Sequence, residues 1–101
     1  MGDEQKEPEV ILNQAAHRFE IRHGDDLAVL EYRLRGGNHL VLTHTGVPPR
    51  LAGKGVGALL VRTALEHARE HHLRLVPLCS FVQAYLRRHP EYGDLVDTDK
   101  R

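Results

Sequence analysis

The stretch Arg50-Leu51-Ala52-Gly53-Lys54-Gly55-Val56-Gly57 organises the fold of this chain. Its three glycines stand at alternate positions and strip side chains from a turn, and the apolar residues that begin at Val56 recur with helical spacing. Backbone amides would therefore lie bare at a helix N-terminus, where the positive end of the helix dipole also lies. With Arg50 and Lys54 as cations at the rim, the pattern predicts a site for a phosphate-bearing ligand.

Alternate glycines also occur in loops that only turn the chain, so the stretch needs support from its surroundings. Two other phosphate-binding patterns are absent: no Ser or Thr follows the Gly-Lys pair as a P-loop requires, and Gly-x-Gly-x-x-Gly does not occur. The elements on either side of the stretch therefore decide between the two interpretations.

Length and composition indicate one domain, because 101 residues can bury one modest core. The chain carries 14 Lys plus Arg and 14 Asp plus Glu, spread along its length, so a nucleic-acid partner is not expected. The single cysteine excludes an internal disulfide, and no apolar run approaches about 20 residues. We expect a cytoplasmic protein without a membrane partner, and the sequence leaves the oligomeric state open.

The first residues carry little structural signal. Met1 to Pro8 is polar and charged, which predicts a disordered leader before a single domain over residues 9–101. Val10-Ile11-Leu12 is apolar but short, and the polar residues after it break a strand pattern. A loose edge strand and a helical turn both remain open there.

Three segments of alternating polarity predict strands joined by short turns. The first begins at Arg18 and places Phe19 and Ile21 on one face. The second runs from Leu27 to Arg35, and the third from His39 to Thr45. Alternation in the second separates Leu27, Val29 and Glu31 on one face from Ala28, Leu30, Tyr32 and Leu34 on the other. Glycine-containing turns join the strands, so an antiparallel meander is expected.

The glycine-rich stretch leads into a helix predicted from Val56 to His72. An apolar stripe on this helix would cover one face of the sheet, while its charged residues face water. The stripe consists of Val56, Leu59, Leu60, Ala64 and Ala68.

The remaining residues predict one more strand and one more helix. Leu73 to Leu78 is a short, mostly apolar run typical of a buried strand. Ser80 is placed to cap a helix over Phe81 to His89, which Pro90 stops. The tail at Leu95 and Val96 would add a last strand or pack as a coil. The predicted fold is α+β, a mixed α/β layer in which an antiparallel three-strand meander is followed by helix, strand and helix.

At this point the residues resemble the GNAT superfamily of acetyl-CoA-dependent N-acetyltransferases. That superfamily has a pyrophosphate loop of the form Gln/Arg-x-x-Gly-x-Gly/Ala before a helix, and Arg50-Leu51-Ala52-Gly53-Lys54-Gly55 matches it. A strand follows the helix, and Tyr85 lies in the final helix as in the superfamily. More narrowly, His44-Thr45-Gly46-Val47-Pro48, Pro77-Leu78-Cys79-Ser80-Phe81-Val82 and His89-Pro90-Glu91-Tyr92 look like a minimal subfamily of roughly 100 residues.

The resemblance covers about Phe19 to Val96, and the chain departs from the larger relatives in two ways. Their first two helices, which build much of the acceptor site, have no room here because Gly24 to Asp26 joins two strands directly. The catalytic glutamate common on the strand before the loop is not obvious in Leu40-Val41-Leu42-Thr43-His44. The amine or protein that accepts the acetyl group is therefore left undetermined.

The resemblance implies acetyl-CoA as the acyl donor and a set of residues that bind it. Amides around Gly53, Gly55, Val56 and Gly57 would hold the pyrophosphate, and the backbone of the Leu42 to Thr45 strand would pair with the pantetheine arm. The full set of expected donor-binding residues is Thr43, Thr45, Val47, Arg50, Gly53, Lys54, Gly55, Val56, Gly57 and Ala58.

Three side chains are candidates for the chemistry, each with a structural alternative. His44 would act as a general base, since imidazole titrates close to neutral pH, or it is only a turn histidine. Cys79, before a helix start, would serve as an acyl-accepting nucleophile or a proton donor, with His44 helping to form its thiolate, or it is a buried apolar residue. Tyr85 matches the general acid of larger relatives, or it is a core aromatic.

Two further interpretations complete the expectations. His67 and His71 are four residues apart, but no third and fourth ligand follow at a typical spacing, so we expect no metal site. The function is predicted as acetyl-CoA-dependent N-acetyl transfer to an unidentified amine. The alternative is a non-catalytic module that binds or senses acetyl-CoA or CoA, which the missing helices favour.

Overall fold

A five-stranded sheet forms the framework of the protein, in a computed structural model that describes residues 8–97. The strands are β1 (Ile11–Asn13), β2 (Arg18–His23), β3 (Asp26–Arg35), β4 (His39–Gly46) and β5 (Arg74–Pro77), and they lie in this order across the sheet. The helices are α1 (Val56–Glu70) and α2 (Ser80–Arg88), with short 3-10 helices at Pro49–Leu51 and Pro90–Leu95. The predicted leader lies outside the described residues apart from Pro8.

The predicted antiparallel meander of β2, β3 and β4 is confirmed. Of the edge strand and the helical turn that the sequence leaves open near Ile11, the structure shows the edge strand. Ile11–Asn13 pairs antiparallel with β2. β4 and β5 are parallel, and α1 forms the crossover connection that parallel neighbours need. The fold is therefore the expected α+β arrangement.

The core lies between one face of this sheet and α1. Phe19 and Ile21 of β2 are buried together with Ala28, Leu30 and Tyr32 of β3, which is the alternation that the sequence predicts. α2 and the second 3-10 helix pack on the same side, since both contact α1. Tyr92 ties this layer together by donating a hydrogen bond to Glu66 Oε2 at 2.5 Å, which raises the pKa of Tyr92 to about 12.

Leu34 is an exception on its face of β3, because 56% of its surface is exposed although Ala28, Leu30 and Tyr32 of the same face are buried. The pairing of β2 with β3 begins only at Arg18, opposite Glu31. The outer half of β3, from Arg33 to Arg35, therefore pairs only with β4 among the strands in residues 8–97. Leu34 lies in this half, outside the part of the sheet that the core covers.

The apolar stripe of α1 is broader than predicted, and the helix is shorter. Val61 and Leu65 are fully buried beside the expected residues, while Leu59 is only partly buried. The helix ends at Glu70 because His72 takes a left-handed backbone conformation, with φ of 58°. The amide of Leu73 then donates to the carbonyl of Ala68 at 2.8 Å, the bond that terminates many helices after a left-handed residue.

The C-terminal part differs from the prediction in two details. Ser80 does not cap α2, because it is the first residue of the helix and Cys79, with an extended backbone, takes the N-cap position. The tail after Pro90 forms a 3-10 helix, and a single parallel bridge then joins Val96 to Leu75. No helix in residues 8–97 combines the length and apolar character needed to cross a membrane.

Removing side-chain volume from the sheet-facing side of α1 tests this core. Leu65→Ala leaves a cavity at a fully buried position and should reduce the free energy of unfolding by about 2–5 kcal/mol. Leu34→Ala, at an exposed leucine, should change it by less than about 0.5 kcal/mol. Urea denaturation of both variants measures the difference, and equal losses would show that the core is assigned wrongly.

Candidate functional site

A fork opens in the sheet between β4 and β5. The two strands pair from His39 and Arg74 as far as Leu42 and Pro77, and the amide of Leu78 donates once more to the carbonyl of Leu42 at 3.0 Å. β4 continues to Gly46 and pairs there with β3 alone among the described strands. The segment Thr43–Gly46 thus presents the open backbone edge that the sequence analysis expects beside the loop.

A β-bulge at Thr43 accounts for the position of this fork. Glu31 pairs with His44 and Tyr32 pairs with Leu42, so Thr43 is an extra residue on β4. Bulges bend the strand that carries them and increase its twist, which turns the end of β4 away from β5. The hydroxyl of Thr43 donates to the carbonyl of Glu31 at 3.2 Å and closes the bulge against β3.

The bulge also decides which face of the sheet each side chain occupies. Thr45 pairs with Leu30, a core residue, and so lies on the face that α1 covers. His44 lies on the other face, which we call the open face. A Cβ atom on Gly46 would lie 3.4 Å from Nε2 of His44 and 3.6 Å from Cγ2 of Val29, so the three residues share this face. His44 is exposed.

The glycine-rich loop has the geometry that a phosphate group requires. Gly53 and Gly55 have left-handed φ angles of 80° and 78°, and Gly55 is the N-cap of α1 without a side-chain capping hydrogen bond. A Cβ atom at either glycine would meet no atom within 4 Å, so φ and not crowding requires glycine there. Open space in front of an uncapped helix N-terminus fits the pyrophosphate of acetyl-CoA.

Gly57 has a different role in the structure from that of the other two glycines. It is buried in the first turn of α1, and a Cβ atom there would lie 2.7 Å from Cζ of Phe81 and 3.4 Å from Cγ2 of Val47. Glycine therefore lets α2 and the end of β4 approach α1 closely. Phe81 beside the loop is a neighbour that the sequence pattern does not reveal, because it depends on how the helices pack.

The other expected donor-binding residues surround this loop. Arg50 and Lys54 are exposed, and they line a cavity of about 440 Å³ together with the turn between β2 and β3. That turn brings the carboxylates of Asp25 and Asp26 to the same cavity, which sequence reasoning missed. The amide of Lys54 is already used, because it donates to the carbonyl of Leu51 at 3.3 Å. Val47 and Ala58 pack partly buried against the core.

Cys79 lies beside the fork and contacts its open strand. Its Sγ atom shares a hydrogen bond with Oγ1 of Thr45 at 3.3 Å. Burial raises the pKa of the thiol, but the Thr45 hydroxyl and the backbone amides of Val82, Phe81 and Thr45 outweigh it, so the net pKa is lowered. The amides of Phe81 and Val82 lie at the start of α2, and the amide of Thr45 lies on the open edge of β4.

The structure does not bring His44 and Cys79 together on one face. Cys79 contacts Thr45, on the covered face, whereas His44 points to the open face. The expectation that the His44 imidazole helps to form the Cys79 thiolate is therefore not supported, because adjacent residues of a strand point in opposite directions. The sequence indicates that β4 and β5 end near each other, but it does not show that His44 and Cys79 lie on opposite faces of the sheet.

Tyr85 occupies a core position. It is 7% exposed, its ring stacks on His89 with centroids 4.1 Å apart, and burial raises the pKa of its hydroxyl. It lies six residues after Cys79, about 9 Å along the helix axis at 1.5 Å per residue. This geometry favours the structural role of Tyr85, while its role as a general acid stays a prediction.

The histidine pair on α1 is also explained by packing. The rings of His67 and His71 have centroids 4.3 Å apart, and His67 packs edge-on against Phe19. Burial, followed by the field of His71, lowers the pKa of His67. Within residues 8–97, no three His, Cys, Asp or Glu side chains are grouped so that they could hold a metal ion.

Comparison with known proteins agrees with this geometry. A family model described as GCN5-related N-acetyl-transferase matches residues 18–95, which is most of the chain. The chain belongs to this family. The solution NMR structure of a GCN5-like protein from Staphylococcus aureus is similar to it with a TM-score of 0.69 and 35% identity, over 92% of this chain and 91% of that chain.

Two relatives show a more partial similarity. Protein NATD1 from Xenopus tropicalis is 32% identical over 65 residues, and protein NATD1 from Gallus gallus is 34% identical over 65 residues. The match covers 64% of this chain but 60% and 59% of those proteins, so the chain spans less than two thirds of the length of these curated relatives. The predicted family and fold are thus confirmed.

The hydrogen bond between Thr45 and Cys79 makes the thiol reactivity testable. Thr45→Val removes the hydroxyl and keeps the burial, so the pKa of Cys79 should rise. The rate of alkylation by iodoacetamide, followed against pH, should then reach its midpoint at higher pH than in the unaltered protein. Thr43→Val is the matched control, since that hydroxyl bonds to Glu31; an unchanged midpoint in Thr45→Val would contradict the assignment.

Proposed function

We propose that the chain transfers the acetyl group of acetyl-CoA to the nitrogen of an amine. One observation carries this proposal: the open edge of β4 lies next to the uncapped N-terminus of α1. The two features suit the two halves of CoA, because bare amides bind a pyrophosphate and an open strand edge pairs with the amides of the pantetheine arm. Membership of the GCN5-related family supports the same donor.

The donor would be held mainly by backbone groups. The amides at Gly53, Gly55, Val56, Gly57 and Ala58 would face the pyrophosphate, with Arg50 and Lys54 as mobile charges at the rim. Thr43, Thr45 and Val47 lie on the segment that would border the pantetheine arm. The thioester would then lie in the fork, between the open face and the covered face of the sheet.

The reaction needs two proton transfers, and the fork offers a group for each. The amine nitrogen attacks the thioester carbonyl carbon, the C–N bond forms and the C–S bond breaks. His44 on the open face would accept a proton from the amine, and the Cys79 thiol on the covered face would protonate the departing thiolate. In direct transfer both groups act on one tetrahedral intermediate, which forms when the amine adds to the carbonyl carbon and collapses when the thiolate leaves.

A non-catalytic module that binds acetyl-CoA or CoA is the second candidate. The solvent-exposed side chain of His44 favours this module, because among residues 8–97 the structure shows no hydrogen-bond partner that would orient His44 as a base. Incubation with labelled acetyl-CoA and a panel of amines and peptides distinguishes the two. CoA release that depends on the amine supports the transferase, while binding without release supports the module. The cytoplasmic location and the absence of a nucleic-acid partner stay predictions.

The proposed donor site predicts a selective effect of Gly55→Ala. The left-handed φ of 78° should cost the variant about 1–2 kcal/mol of stability, and the new Cβ atom enters the space in front of α1. We expect CoA affinity, measured by calorimetry, to fall about tenfold or more, which corresponds to ~1.4 kcal/mol.

Gly37→Ala is the matched control for this variant. Gly37 has a φ of 82°, nothing lies within 4 Å of its Cβ position, and it belongs to the turn between β3 and β4. The Gly37→Ala variant should lose a similar amount of stability and keep the CoA affinity of the unaltered protein. Equal affinities in the two folded variants would argue against the loop as the CoA site.

Direct transfer predicts the behaviour of Cys79→Ala. This variant should keep part of its amine-dependent CoA release, because it loses a proton donor and no covalent carrier. Intact-protein mass spectrometry after incubation with acetyl-CoA alone should show no acetyl adduct on Cys79. An adduct that forms there and is consumed on adding amine, at the rate of turnover, would establish the covalent route instead.

A further inference from the structure

We propose that the open face of the sheet binds, as the acetyl acceptor, a small amine that also carries an anionic group. This proposal rests on the transferase function proposed above. A cavity of about 1070 Å³ extends along β3 at its Arg35 end, where it borders the open face and is also lined by Ala16, His17, Tyr32 and Leu34. Its lining includes Glu31, Arg33, Arg35, Val41, Thr43 and Leu78.

The strand register places the charged side chains of this cavity in one row. Glu31, Arg33 and Arg35 stand at alternate positions of β3 and therefore point to the same face. Arg33 pairs with Val41, which is buried but outside the core cluster under α1. The row is thus on the open face, the side to which His44 also points.

The carboxylate of Glu31 lies at the reacting end of the row. Glu31 is the β3 partner of His44, and cross-strand partners on one face have Cβ atoms about 5 Å apart. A protonated amine at Glu31 would therefore be next to the imidazole that we propose as its base. Glu31 is partly buried, and no hydrogen bond or ion pair occupies its carboxylate among residues 8–97.

The two arginines supply the opposite charge further along the strand. Among residues 8–97 the structure shows no hydrogen bond or ion pair for the guanidinium groups of Arg33 and Arg35. Arg18, on the same face, differs because its Nε atom bonds to Glu20 at 2.5 Å. Two unpaired guanidinium groups favour a carboxylate or phosphate and disfavour a second ammonium group.

The spacing along β3 sets the size of the acceptor. Alternate residues of a strand are about 7 Å apart, so Glu31 and Arg33 suit an amine and an anion separated by a short chain. In the reaction the ammonium loses two protons as the amide C–N bond forms. Both pass to solvent, through His44, while Cys79 protonates the thiolate released by C–S cleavage and regains its proton from solvent, so the products are the N-acetyl compound, CoA and one proton.

The test compares 5-aminopentanoate with pentylamine and 1,5-diaminopentane, which share a five-carbon chain. We expect kcat/KM for CoA release with 5-aminopentanoate to exceed that of both other amines by about tenfold or more, one charge-assisted contact. The preference should weaken as salt is raised. Arg33→Gln should bring the ratio of 5-aminopentanoate to pentylamine close to one, and Glu31→Gln should raise KM for both.

The matched control is Arg22→Gln. Arg22 is an exposed arginine on the same face of β2, but it does not line the cavity. It should leave the ratio between the amines unchanged. Folding of each variant is checked by the dispersion of its amide NMR spectrum.

Binding gives a second readout that does not depend on turnover. Titration with 5-aminopentanoate should shift amide signals of Glu31, Arg33 and Thr43 more than titration with pentylamine. CoA release without preference for 5-aminopentanoate would overturn this inference and leave the transferase function standing. Selective binding of 5-aminopentanoate without CoA release would overturn its role as the acetyl acceptor, and absence of binding would overturn the site itself. The transferase function is overturned only when the whole panel of amines and peptides also gives no CoA release.

Discussion

The bulge at Thr43 is the constraint on which the rest of the site depends. One extra residue in β4 ends its pairing with β5 after Leu42 and leaves four residues with an open backbone edge. It also sends the side chains of His44 and Thr45 to opposite faces at the same point. A single backbone irregularity thus creates the fork and separates the two groups proposed to transfer protons.

The short connection between β2 and β3 has a consequence for the open face. The turn at Gly24 joins β2 to β3 directly, so no helix in residues 8–97 covers the side of the sheet opposite α1. Val41 is buried there by its neighbours alone, while Glu31 and the arginines of β3 stay available. The proposed acceptor site is therefore a shallow surface of the sheet, in which charge and not enclosure would provide selectivity.

The glycine-rich loop shows how one motif combines two physical requirements. Gly53 and Gly55 are required by left-handed backbone angles with open space in front of them, as suits a bound phosphate. Gly57 is required by the close approach of Phe81, which holds α2 against α1. A substitution at the first two positions should affect the ligand, whereas one at the third should affect the packing of the helices.

Local patterns in the sequence were enough for the meander, for α1 and for the bare helix N-terminus, because alternation, helical spacing and glycine act within a few residues. They also placed the family correctly. The bulge, the contact of Thr45 with Cys79, the exposure of Leu34 and the cavity beside Glu31 and the arginines came only from the tertiary structure. Each depends on strand register between distant segments, and register is set when the sheet packs as a whole, so no single segment encodes it.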